Sequence, residues 1–187
     1  MTGPIVEMLP DGKRLHLQHG PTDLILQVFA PEDVRAAAYA QAAARFETLL
    51  QGLVGDLAEL RRPADPGRVF VDPVAQRMQA ATLPHLPAFV TPMACVAGAV
   101  ADEVLAATVE GLPVPRAYVN NGGDAALHLA PGERLDAAIW NEGDAGRVTI
   151  MAEDPVRGLA SSGWRGRSQS LGIADSVTVL AGGAATA

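Results

Sequence analysis

The chain has 187 residues, enough for one domain with a full core. Hydrophobic residues make up 49% and charged residues 19%, which excludes a disordered chain. A formal net charge of -7 and the lack of a Lys/Arg run argue against nonspecific nucleic-acid binding. Aromatic residues are only 4%, so alanine, valine and leucine must fill the interior.

Ile5–Met8 and Arg14–Gln18 alternate apolar and polar residues around Pro10-Asp11-Gly12, a hairpin pattern. A third strand is expected over Asp23–Phe29, after the Gly20-Pro21 turn. Pro31-Glu32-Asp33 then opens a long helix, with proline in its first turn and acids at the positive end of its dipole. It should run to about Leu60, where Arg61 and Arg62 suit its carboxyl end and Pro63 stops it. A short strand is expected near Val69-Phe70-Val71. Asp72 and Pro73 are placed as cap and first residue of a second helix reaching about Leu83.

Thr91-Pro92 opens a third helix running to about Glu110, rich in small residues from Ala94 to Ala107. Such a helix packs tightly either within the domain or across a homo-oligomer, and both remain open. The apolar stretch Phe89–Val109 carries Asp102 and Glu103, so it reads as a buried helix rather than a membrane span. Strands follow at 117–120, 125–129, 135–140, 147–151, 158–161 and 176–180. Strands, then helices, then strands give an α+β fold with an antiparallel or mixed sheet. The small residues Gly182–Ala187 read either as a frayed tail or as the first turn of a helix.

Cys95, the single cysteine, lies in an apolar helix and reads as a packing residue; no zinc spacing exists. The N-terminus lacks a basic region followed by an apolar run, and a cytoplasmic location is expected. The four histidines show no pairing with a nucleophile, so a hydrolase triad is not supported, and His128 reads as structural.

Two polar motifs punctuated by glycine stand at strand ends. In Asn120-Asn121-Gly122-Gly123-Asp124 the glycines allow positive φ and the flanking side chains supply hydrogen-bonding groups, as a backbone cradle for an anion requires. A plain hairpin turn has the same composition. In Ser161-Ser162-Gly163-Trp164-Arg165-Gly166-Arg167-Ser168, hydroxyls, an aromatic face and two guanidinium groups fall within eight positions. Arginine grips phosphate or carboxylate, and tryptophan stacks on flat rings. A surface hairpin with solvated arginines is the alternative. Thr91, at the helix start, offers free amides to an anion or is simply a cap. Asp175 could hold magnesium, although one carboxylate alone does not make a site.

Taken together, the segments HLQHGPTDLILQVF, FVTPMACVAGAVADEVL, AYVNNGGDAALHLAPG and SSGWRGRSQSLGIADSVTVLA resemble the ApbE-like superfamily, which includes the FAD:protein FMN transferases. The match is nearest to a branch of uncharacterised ApbE-related proteins. The resemblance implies a fold related to the T-fold, with two similar β/α halves, and a site for FAD or FMN between the two glycine turns. It brings Thr91, Asn120, Asn121, Gly122, Gly123, Asp124, Ser161, Ser162, Gly163, Trp164, Arg165 and Arg167 toward the ligand, and Asp175 or Asp124 toward magnesium.

The departures are specific. The transferases carry a His-x-x-Asp-Pro-x-x-Gly segment after the Ser-Gly turn, where this chain has Ser168–Asp175. Their Ala-Asp-x-x-x-Thr helix, which ligates magnesium, would follow the Ser176–Leu180 strand, and the lipoprotein cysteine of the periplasmic members is missing. The expectation is therefore a single ApbE-like domain over 1–187 lacking the C-terminal part of the family fold; either the rest was removed, or a complementary C-terminal chain supplies it as a partner. No membrane or nucleic-acid partner is expected. The expected ligand is a flavin or nucleotide-like anion, with FMN or phosphoryl transfer as its chemistry; the catalytic residues are not identified. A noncatalytic accessory protein and an enzyme acting on a small carboxylic acid are the alternatives.

Overall fold

The computed structural model describes residues 3–141, 144–164 and 172–187. The first three strands, β1 (Ile5–Met8), β2 (Arg14–His19) and β3 (Thr22–Phe29), form an antiparallel meander. Asp11 sets its first turn by accepting hydrogen bonds from the Lys13 and Arg14 amides at 2.8 and 3.0 Å. Those backbone donors, joined by the Arg14 side chain, hold the Asp11 carboxyl down at about 2.

Helix α1 (Glu32–Leu60) starts and stops where its sequence signals place it. Residues 69–71 do not form the expected strand. Val69 and Val71 are 88% and 90% exposed, whereas Phe70 is buried. The Gln76 amide donates to the Phe70 carbonyl at 2.7 Å, so a side chain serves the backbone where a neighbouring strand would have done so. Helix α2 (Pro73–Thr82) has the expected cap: the Asp72 carboxylate accepts from the Val74 and Ala75 amides at 2.9 and 3.1 Å. The third helix begins as a 3-10 turn, Pro92–Cys95, and continues as α3 (Val96–Val109).

The remaining strands are β4 (Arg116–Asn121), β5 (Asp124–Leu129), β6 (Arg134–Asn141), β7 (Asp144–Met151), β8 (Gly158–Ser162) and β9 (Val177–Ala181). Seven of them make one sheet in the order β1-β2-β3-β4-β5-β8-β9, and each described pairing is antiparallel. The β6–β7 hairpin forms a separate two-stranded sheet.

Strand alternation sorts side chains between two cores. On the helical face Leu17, Leu24, Leu26 and Val119 meet Phe46, Leu49, Met78, Val100 and Val104, all at most 1% exposed. On the opposite face Ala125, Leu127, Leu129 and Leu159 pack with Ile150 of the hairpin. Glu103 ties the three helices together: it pairs with Arg45 of α1 at 2.9 Å and Arg77 of α2 at 3.3 Å, at 15% side-chain exposure. Pro92–Val109 is long and apolar enough to cross a membrane by length and composition; here it is the central helix of the larger core.

The tail is not frayed. Ala184–Thr186 forms a 3-10 turn with Ala184 and Ala185 at 3% and 6% exposure. Asp102 of α3 caps it, one carboxylate oxygen accepting from the Ala184 amide and the other from the Ala185 amide, both at 2.9 Å. Two glycines leave room for it. A Cβ on Gly98 would stand 2.1 Å from the Ala184 carbonyl oxygen, and one on Gly158 would stand 2.1 Å from the Ala184 nitrogen.

Candidate functional site

The first glycine motif is a two-residue hairpin turn between β4 and β5. Gly122 and Gly123 have φ of +65° and +115°, and the Asn120 side chain accepts from the Gly123 amide at 2.9 Å. Asn121 and Asp124 are partners in the ladder, so both face α3, where they meet it at different places. Asn121 donates from Nδ2 to the Ala97 carbonyl at 3.0 Å, fixing the turn against the start of α3. Asp124, opposite it in the ladder, reaches the other flank of the same helix end.

Asp124 lines a cavity of about 220 Å³ together with His85, Ala94, Cys95, Ser161, Ser162 and the Ala184–Ala187 tail. Three residues singled out by the sequence, Asp124 from one motif and Ser161 and Ser162 from the other, thus meet across β5 and β8. Burial pushes the Asp124 carboxyl above its usual value, and a hydrogen bond from the Gly98 amide pulls partly the other way. Burial, with a smaller contribution from the Asp124 charge, pushes the Cys95 thiol up. Cys95 is therefore a poor nucleophile in this setting and packs against the core as expected. Ser161 Oγ shares a hydrogen bond with Thr178 Oγ1 across β8 and β9 at 2.8 Å.

The Ser-Gly turn owes its shape to contact with the strand that returns to it. A Cβ on Gly163 would come within 2.0 Å of the Asp175 carbonyl oxygen. Trp164 donates its indole N–H to Asp175 Oδ1 at 2.9 Å and keeps 52% of its surface exposed. The hydrogen bond ties the indole to the returning strand. That bond engages the carboxylate singled out for magnesium, and among the described residues no group of three or more His, Cys, Asp or Glu side chains is placed to hold a metal ion.

Several expected residues stand elsewhere. Gly122, Gly123, Asn120 and Asn121 do not line the cavity; their roles within this chain are the turn and its attachment to α3. Thr91 precedes the 3-10 turn, makes no side-chain capping bond and is not part of the lining. Arg165 and Arg167 lie outside the described residues. Sequence reasoning missed His85 and the tail as cavity residues. His128 is structural: it donates to the Val114 carbonyl at 2.9 Å.

A family model described as AbpE bacteria matches residues 6–187. No curated protein matches the chain.

Proposed function

The chain belongs to this ApbE-like family, and from that premise we propose that it binds the phosphate-bearing part of a flavin, or of a related nucleotide, where Asp124, Ser161 and Ser162 converge. The observation that carries this reading is the convergence itself: residues 37 or more positions apart in the sequence border one cavity beside the amino end of α3. Helix amino ends favour anions, and hydroxyls are good phosphate donors. Burial disfavours the charged form of the Asp124 carboxyl, which lessens its repulsion of an anion.

The residues fit a flavin in part. The cavity is smaller than the roughly 300–1,000 Å³ of sites that enclose a whole cofactor. It suits a phosphate group, with the flat ring lying outside beside Trp164, a half-exposed aromatic residue held by Asp175. When bound, the flavin supplies the group to be transferred; Ser162 orients its phosphate, Ser161 holds β8 to β9 through Thr178, and Trp164 lies beside its ring. Among the described residues no group of three or more His, Cys, Asp or Glu side chains is placed to hold magnesium. The two similar β/α halves of a T-fold-related architecture belong to this same proposal.

The cavity's small volume favours a second reading, a small carboxylic acid as ligand, with or without catalysis. Titration of the purified protein with FMN and FAD, followed by flavin fluorescence, separates the two. Flavin binding that weakens in Ser162→Ala and in Arg165→Ala, the latter by about 1.5–3 kcal/mol, supports the first. Absence of flavin binding, with calorimetric binding of a small acid, replaces it with the second.

A further inference from the structure

We propose that a second site lies on the other flank of α3 and takes an amphiphilic carboxylate, a single apolar chain ending in an anion. A groove of about 500 Å³ runs between α1, the start of α3 and the β2–β3 turn. Leu53, Val54, Leu57, Met93, Val96 and Val100 make its walls. Its volume falls within the roughly 300–1,000 Å³ typical of small-molecule sites, and such sites join apolar walls to a few polar groups. Here the polar side chains are Thr22, Asn121 and Arg61.

Arg61 decides the sign of the ligand. It lies at the carboxyl end of α1 among three arginines, of which the other two are occupied. Arg62 and Arg68 pair with the Glu59 carboxylate at 3.0 and 3.2 Å. Arg68 also donates to the Glu59 and Pro63 carbonyls, both at 3.1 Å, so it already serves the helix end. Among the described residues no side chain pairs with the Arg61 guanidinium, which is exposed and borders the groove. Among the described residues no Asp or Glu lines the groove. An apolar cleft whose one ionic group among the described residues is an arginine with no paired side chain there complements a monoanion with an apolar body, and guanidinium matches carboxylate geometry.

The groove is shaped as well as apolar. Gly20, in the β2–β3 turn with φ of +58°, sits so near α1 that an added Cβ would press Leu50 Cδ2 at 3.2 Å. Asn121 is fixed by its bond to the Ala97 carbonyl. The two flanks of α3 differ in charge: the Asp124 cavity holds an acid, and this groove holds a base.

The probe is dodecanoate, with dodecanol as its uncharged counterpart, titrated into the intact chain below the micellar range by calorimetry. One dodecanoate binds per chain, and dodecanol binds about tenfold or more weakly. Arg61→Gln brings dodecanoate down to the level of dodecanol. Val54→Trp, at a rim position that is 50% exposed, abolishes binding of both while thermal unfolding stays cooperative. The proposal is overturned by no binding of dodecanoate, by equal binding of acid and alcohol, by several equivalents bound per chain, or by binding that neither substitution alters.

Discussion

The two ends of the seven-stranded sheet are packed by opposite means. At β2 and β3 the sheet meets α1 through large side chains, with Leu17, Leu24 and Leu26 at 0% exposure and Phe46 at 1%. At β8 the sheet meets α3 and the tail through missing side chains, because Gly98 and Gly158 let backbone lie against backbone. The first region is stabilised by apolar area removed from water, which many residues can supply. The second depends on close approach, which only glycine permits. The proposed phosphate cavity lies in the second region. A framework built from side chains thus carries a site whose walls are set by backbone contact.

The largest effect should come from the first region. Phe46→Ala empties a fully buried position and should lower global stability by about 3–5 kcal/mol. Chemical denaturation would show it as a lower midpoint with an unchanged slope. An effect below about 1 kcal/mol would break the comparison.

Gly98→Ala should act next, and locally. Alanine is the better helix former by about 1 kcal/mol, so propensity alone predicts stabilisation. The added methyl would instead stand 2.1 Å from the Ala184 carbonyl oxygen. Overpacking of this kind costs about 1–3 kcal/mol. The tail should leave its seat, so hydrogen exchange should accelerate at Ala184 and Ala185 while amides in β2 and β3 stay protected. Unchanged exchange at those two amides would refute it.

The smallest effect sharpens the contrast by pH. The Asp124 carboxyl is raised in the folded state, so folding binds the proton more tightly than the unfolded chain does. Stability contributed by this group is therefore full below the unfolded value near 3.8 and falls as pH rises through the folded value. Asp124→Asn removes that dependence. The variant should melt higher than the parent at pH 7 and alike at pH 3; a gain of the same size at both pH values would contradict the burial argument.

The strands and helices were legible because each is a local pattern: alternation in β2 and β3, and Asp72-Pro73 at the start of α2. Residues 69–71 misled for the same reason. Val-Phe-Val has strand composition, but a strand needs a partner edge, and composition carries no record of one. In the site, the sequence located Asp124, Ser161 and Ser162 by motif. It could not disclose that Asn121 and Asp124, three positions apart, serve opposite flanks of α3, because that follows from the turn's register. His85 and the tail escaped because nothing near them in sequence announces a cavity; their placement depends on α3, β8 and Asp102 acting together. Asp102 read only as a charge within an apolar helix, although its task is to cap a turn 82 positions later in the chain.

That cap turns the chain's last turn into a gauge. Ala184 and Ala185 border the Asp124 cavity and also donate their amides to Asp102. A ligand held in the cavity opposes the opening that would let those two protons exchange, and by reciprocity whatever loosens the turn weakens the ligand. Two amide signals therefore report occupancy of a site for any candidate compound, with no label and no assay of turnover.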